Sequence, residues 1–347
     1  MRSPADAFPM TDLGEVSEGD IVDAPLAVRR VDAPTAYDGG HLVRLELGNA
    51  TGVLPAKLWL GPDEDRAREV AASIEPGDVL AVAAPVRTYR DRLELNLEAV
   101  PAEAEDWEPG ELLPSTDAHV GRRLHRCLRA ARSIADEQVR RVVLHVWTDE
   151  ATRAAIARAP ATKRRHRAHL GGWIEHVHAE LALAETLADL HPELDRDLLV
   201  AGVLLHDLGR LDAYEAETTI DLTREGRLLG TAALADERLQ RALTVCAIDR
   251  DRALHLRHVA LAHAGRADWG AAVEPATPEA IAVHAIERLD TRLARAVEVV
   301  QRRRERGKTS GYSSELGRFL ELADPLDDGA TERSAAADVE ASSSAPA

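Results

Sequence analysis

The tightest constraint on this chain is an apolar run, Leu198 to Leu205, that ends in the adjacent polar pair His206-Asp207. It lies within a longer stretch, His166 to Leu211, reading HRAHLGGWIEHVHAELALAETLADLHPELDRDLLVAGVLLHDLGRL. The run is far shorter than the about 20 apolar residues that a membrane span requires, so it reads as a buried helix. A histidine and a carboxylate at the end of such a helix need partners, because unpaired polar groups in apolar surroundings are costly. A divalent metal meets that need: neutral imidazole and carboxylate oxygen are both ligands, and the cation offsets the carboxylate charge. A purely structural network of polar side chains would meet it without a metal.

A length of 347 residues allows two domains, each with its own core. The start, MRSPADAFPMTDLGE, has no apolar signal region. Cys127 and Cys246 are far apart, which argues against a disulfide framework. A reducing cytoplasm with no membrane partner is therefore expected. Acids outnumber bases sixty to forty-three, and the only lysines are Lys57, Lys163 and Lys308. A genome rich in G and C, or a salty cytoplasm, would favour such usage. A net charge of −17 spread evenly would repel nucleic acid, so binding it requires local basic patches.

The expected architecture is an all-β OB-fold barrel followed by an all-α domain. Residues 1–16 lack periodicity and read as a loose arm. Residues 17–100 hold five short β-rich segments: Ile21–Val31, His41–Leu47, Val53–Leu60, Val79–Thr88 and Leu93–Val100. A helix-like patch, Glu64 to Ile74, follows the third, which is the order of an OB-fold. Residues 101–116, PAEAEDWEPGELLPST, read as an acidic linker. Residues 117–323 are helical nearly throughout, with apolar side chains three and four apart. Residues 324–347, rich in Ala, Ser and acids, read as a disordered tail.

Within the helical part, His176, His206, Asp207 and Glu287 stand out. His176 follows Trp173 by three and precedes Glu180 by four, so the three share a helix face. His206 follows Leu199 and Val203 at helical spacing, and Glu287 lies three from both His284 and Asp290. His178, His191 and His255, each alone, read as structural or surface residues. Arg153, Arg158, Lys163, Arg164, Arg165 and Arg167 form a basic run just before His176 and are candidates for phosphate binding; Arg302, Arg303 and Arg304 read as an exposed helix end. On the barrel, Tyr37, Trp59 and Tyr89 are candidates to stack bases, Tyr89 the better one, with Arg90 and Arg92 tracking the backbone. Trp59, in an alternating strand, is expected in the barrel core.

These residues resemble the HD superfamily of metal-dependent phosphohydrolases, whose ligand order is H…HD…D, and more closely the YhaM-type 3′–5′ exoribonucleases, in which an OB-fold precedes an HD domain. The resemblance covers roughly residues 17–320. It is carried by Pro160-Ala161-Thr162-Lys163 with His166, by Gly171-Gly172-Trp173-Ile174-Glu175-His176, and by Leu205-His206-Asp207-Leu208-Gly209. Glu225-Gly226, Leu228-Leu229-Gly230, His258 with His263 and Gly265, and His284-Ala285-Ile286-Glu287-Arg288-Leu289-Asp290 continue it. Several positions depart from the pattern. Thr231 and Ala264 stand where related enzymes have histidines that help to hold a second metal. Arg167 replaces a histidine, Glu287 the terminal aspartate, and Arg210 the lysine after the HD motif.

The resemblance therefore implies a single Mn²⁺ or Mg²⁺ held by His176, His206, Asp207 and Glu287, with Asp290 as the alternative to Glu287. Asp207, Arg210 and His263 would be catalytic, Arg210 pairing with phosphate oxygens or else standing as a solvated cation at a helix end. His258 would support the site from behind. The implied partner is single-stranded nucleic acid, RNA before DNA. A nucleotide phosphohydrolase with a regulatory barrel, and a catalytically silent nucleic-acid-binding protein, are the other readings.

Overall fold

Alternation of apolar and polar side chains builds the N-terminal sheet. In the computed structural model of the chain, residues 11–90, 92–115, 117–163, 166–304, 310–314 and 316–321 are described. The strands are β1 (Ile21–Val31), β2 (Thr35–Tyr37), β3 (Gly40–Gly48), β4 (Val53–Leu60), β5 (Val79–Tyr89) and β6 (Arg92–Leu97). Helix α1 (Glu64–Ala72) lies between β4 and β5, started by the Asp63 side chain, which accepts from the Arg66 N–H. Along β4, Leu54, Ala56 and Leu58 point into the core while Val53 and Pro55 face out. Strand β1 pairs with both β3 and β5, shifting register at a bulge between Val28 and Arg30. From β5 the pairing runs through β6, β4 and β3, with β4 and β6 parallel. The short β2, which folds back on β3, is an addition to the five expected strands; three exposed residues carry too little apolar signal to announce it.

Segments expected to be loose are tied down. Of the expected arm, residues 1–10 lie outside the described residues. Leu13 is buried in the sheet's core, and the Thr51 hydroxyl accepts from its N–H. The expected linker is pinned as well: Leu112 packs with Ala27 and Val79, and Leu113 with Leu170 and Ile220. A few apolar side chains in an acidic, Pro-rich background supply that anchoring. Arg29 on β1 donates to the carbonyls of Leu112 (2.6 Å) and Thr218 (2.5 Å).

Helices follow: α2 (Pro109–Leu112), α3 (Asp117–Ser133), α4 (Glu137–Thr148), α5 (Glu150–Arg158), α6 (Gly172–Leu190), α7 (Arg196–Leu205), α8 (Arg210–Ala213), α9 (Arg224–Cys246), α10 (Arg250–Ala262) and α11 (Pro278–Arg304). Aspartates 136, 149, 195 and 249 cap α4, α5, α7 and α10. Two hairpins interrupt the expected all-helical pattern, β7 (Tyr214–Ala216) with β8 (Ile220–Leu222), and β9 (Ser310–Ser313) with β10 (Arg318–Glu321). Residues 1–288 and 289–347 form separate compact units. The expected tail from 324 lies outside the described residues, and among those no helix is long and apolar enough to cross a membrane.

Helix α7 is the centre of the helical core. All its residues from Leu199 to Leu205 are buried, and Trp147 and Trp173 stack beside it with ring centroids 5.8 Å apart. The Trp147 indole N–H donates to the Leu204 carbonyl (3.0 Å) and that of Trp173 to the Asp207 carbonyl (3.2 Å), so the last turn is held from two sides. The chain then turns against α9 at Gly209, where a β-carbon would stand 2.0 Å from the Thr231 carbonyl oxygen and 2.5 Å from the Ala235 nitrogen. Gly209→Ala is therefore expected to destabilise the protein by about 2 kcal/mol or more, as overpacking against backbone does. Denaturant unfolding checks this, with Gly61→Ala, whose β-carbon meets nothing within 4 Å, as the comparison.

Candidate metal centre

Helices α6 and α7, the turn after α7, the end of α10 and the middle of α11 deliver the buried polar residues. His176, Glu180, His206, Asp207 and His263 are each at most 3% exposed. Ligand atoms of His176, His206 and Asp207 all lie within 4.8 Å of one another, a group that could hold a metal ion. Glu180, one turn after His176, adds a carboxylate, its oxygens 3.4 Å from His176 Nε2 and 3.5 Å from His206 Nε2. The i, i+4 spacing on an apolar helix was the available signal for Glu180, but an acid four residues after a histidine is usually a surface pair.

Hydrogen bonds decide which ring nitrogens carry protons. His206 Nδ1 lies 2.9 Å from the Val203 carbonyl, and His263 Nδ1 lies 2.7 Å from the Ala260 carbonyl. A carbonyl only accepts, so each Nδ1 donates and each Nε2 of the neutral ring presents a lone pair. Burial, with a smaller push from His263, lowers the His206 pKa to about 4, so its ring is neutral at physiological pH. The His206 lone pair thus faces a carboxyl oxygen of Glu180 at 3.5 Å. His206 Nε2 and Asp207 Oδ1 have no hydrogen-bond partner among the described residues. A bound cation satisfies both, so the donor set fits a divalent metal.

Glu287 is not in that group. Its carboxylate lies on the His263 side of Asp207, with Oε2 4.0 Å from His263 Nε2 and Oε1 3.7 Å from the Arg210 guanidinium; His263 Nε2 is 3.9 Å from Asp207 Oδ1. Arg210 is not a solvated cation at a helix end: its side chain is 16% exposed, forms an ion pair with Asp207, and donates to the Ala161 carbonyl. Burial alone would lower its pKa, but Asp207 and Glu287 raise it. For Asp207 the burial penalty is outweighed, chiefly by Arg210, and its carboxyl titrates below the ordinary range.

Other sequence candidates are placed differently from expectation. Lys163, expected to bind phosphate, pairs with Asp221 on β8 at 2.5 Å. Arg167, 12% exposed, turns inward to Glu175 (3.3 Å) and His176 Nδ1 (3.4 Å). A run without acids in sequence meets acids from neighbouring elements in space. Arg164 and Arg165 lie outside the described residues. His258 accepts at Nε2 from the Ala276 N–H (2.9 Å) instead of backing the centre. Trp59 is not in the sheet's core: it lies on the outer face of β4, edge-on to Tyr37 with centroids 4.9 Å apart. Lys57, paired with Glu94, sits 3.7 Å above the exposed Tyr89 ring, with Arg90 5.3 Å away and Arg92 exposed nearby. Tyr37, Trp59, Lys57 and Tyr89 thus form one aromatic and basic patch, whose members come from three strands.

No protein-family model matches the chain. It is similar to 3′-5′ exoribonuclease YhaM of Bacillus velezensis, 30% identical over 300 residues, covering 86% of this chain and 92% of the relative. The YhaM proteins of Bacillus subtilis (29% over 300 residues; 86% and 92%) and Shouchella clausii (29% over 290 residues; 82% and 88%) are similar as well.

Arg210 is the counter-charge for two carboxylates in the metal-free protein. Removing one partner of a buried ion pair costs about 3–5 kcal/mol, because the other charge is left uncompensated. Arg210→Leu is therefore expected to lower the melting temperature of chelator-treated protein markedly, and added divalent cation is expected to recover part of the loss. Differential scanning calorimetry with and without the cation measures both effects.

Proposed function

The chain belongs to the family of YhaM-type 3′–5′ exoribonucleases, and on that premise we propose that it is a metal-dependent phosphodiesterase that removes nucleotides from the 3′ end of single-stranded RNA. The observation that carries this is the convergence of His176, His206 and Asp207 at the buried end of α7, with the His206 lone pair facing the Glu180 carboxylate. In this reading residues 17–100 are the OB-fold and residues 117–323 the HD domain. The path of strand pairing, with β1 joined to both β3 and β5 and a helix between β4 and β5, supports the first assignment.

His176, His206 and Asp207 would hold one Mn²⁺ or Mg²⁺, with Glu287 completing the set from across Asp207. Bound there, the ion supplies Lewis acidity to a phosphoryl oxygen and lowers the pKa of water. The chain's own residues do the rest. The Val203 carbonyl holds His206 in the tautomer that ligates. Arg210 stays charged and pairs with phosphoryl oxygens as well as with Asp207 and Glu287. His263, its Nδ1 fixed by Ala260, offers Nε2 as acceptor for the proton lost by the attacking water. The patch of Tyr37, Trp59, Lys57 and Tyr89, with Arg90 and Arg92, would stack bases and follow the backbone, each stacked base contributing roughly 1–3 kcal/mol.

With Mn²⁺ and 5′-labelled single-stranded RNA, the expected product is a ladder shortened from the 3′ end. Chelator and Asp207→Ala are each expected to abolish it. Hydrolysis of free nucleotides with no ladder would replace this reading with a nucleotide phosphohydrolase, and binding without hydrolysis would leave a silent binding protein.

A further inference from the structure

The loop after α10 carries a feature that the metal centre does not use. Of the five tryptophans in the chain, Trp147 and Trp173 are fully buried, whereas Trp269 is 45% exposed. It is not loosely held. The Trp269 and Ala271 N–H groups both donate to the Arg266 carbonyl at 3.0 Å, and the Ala272 N–H donates to the Leu261 carbonyl at 2.9 Å. The indole is flanked by two guanidinium groups, Arg288 at 3.9 Å and Arg266 at 5.2 Å from its ring centroid. It also stacks on His284, with centroids 6.2 Å apart and planes at 20°. A half-exposed aromatic ring on a fixed backbone, with two cations beside it, has the elements that bind a nucleotide: a surface for the base and donors for phosphate.

The platform is coupled to the centre. His284 Nδ1 donates to the His263 carbonyl at 2.8 Å, and Glu287 and Arg288 are adjacent on α11. His284 can lie there because residue 265 is glycine. Its φ of +83° is in the left-handed region, and a β-carbon on it would stand 2.1 Å from His284 Cε1. The aromatic platform therefore lies one side chain from His263, which faces Asp207 and Glu287. Arg266 is partly compensated by Asp268 at 2.9 Å, but both side chains are 61% exposed, and such a pair yields readily to a phosphate.

We propose that Trp269, with Arg266 and Arg288, is a nucleotide-binding subsite beside the metal centre, on which the base of the 3′-terminal nucleotide stacks. The inference rests on the exonuclease reading for the identity of the ligand, and on the geometry of Trp269, His284 and His263 for its place. It adds to the patch on the sheet a contact at the end of the strand where cleavage takes place. Because a stacking face accepts any base, the subsite would favour a base at the terminus without choosing among bases.

The test uses the full-length protein and two 5′-fluorescein-labelled oligoadenylates, one intact and one abasic at its 3′-terminal residue. Binding is read by fluorescence anisotropy on chelator-treated protein, and cleavage separately with Mn²⁺. Trp269→Ala is expected to weaken binding of the intact RNA about tenfold and to raise its KM with little change in kcat, while Trp269→Phe recovers most of the loss. The abasic RNA is expected to bind the wild type about as weakly as intact RNA binds Trp269→Ala, so that the two deletions do not add. Equal losses on both RNAs would mean that Trp269 acts through the fold, and an unchanged affinity for intact RNA would mean that no base stacks there; either overturns the inference. If the wild type cleaves neither RNA, the exonuclease reading fails, and the anisotropy comparison still decides the subsite.

Discussion

A carboxylate and two imidazoles taken out of water at the end of α7 set the terms for everything around them. Asp207 is 1% exposed and His206 is fully buried, so each needs partners that water would otherwise supply. The fold answers from several directions. Trp147 and Trp173 hold the last turn of α7 by its carbonyls, Gly209 lets the following turn lie against α9, and Arg210 brings a guanidinium to the Asp207 carboxylate. That compensation is incomplete on the other side, where His206 Nε2 has no hydrogen-bond partner among the described residues and lies 3.5 Å from Glu180 Oε2. The site is thus neutralised on one side by an arginine and left with an imidazole lone pair on the other.

The departures from the family pattern become intelligible in these terms. Thr231 and Ala264 offer no imidazole, and Arg210 supplies a fixed positive charge beside Asp207 and Glu287. A guanidinium cannot coordinate water or transfer a proton, but it does balance charge and can hold a phosphate. Glu287, one methylene longer than the usual aspartate, reaches both Arg210 and His263. The proposed substrate contacts would hold a strand at two places: an aromatic and basic patch on the sheet, and Trp269 beside the centre. Both are local concentrations of cation and ring on a strongly acidic protein, which is what binding a polyanion there requires.

Much of this was legible in the chain. Short β-rich segments marked β1, β3, β4, β5 and β6 to within a few residues, most clearly where alternation puts one face of β4 in the core. The apolar run ending in His206-Asp207 marked the centre. What escaped was whatever depends on partners distant in sequence. The hairpin of β7 and β8 has three residues per strand and no alternation to read. Trp59 has the local pattern of a core residue, but the alternation of β4 sends it to the outer face, where it meets Tyr37 and Asn96. Lys163 and Arg167 read as free cations because Asp221 and Glu175 reach them only through the fold. Glu180 was hidden by the ambiguity of its spacing.

Anomalous diffraction at the manganese edge from Mn²⁺-loaded crystals shows most directly where the metal binds. The expected result is one strong peak per chain among His176, His206 and Asp207. Two peaks of equal strength, or none within reach of His206 Nε2, would contradict that placement.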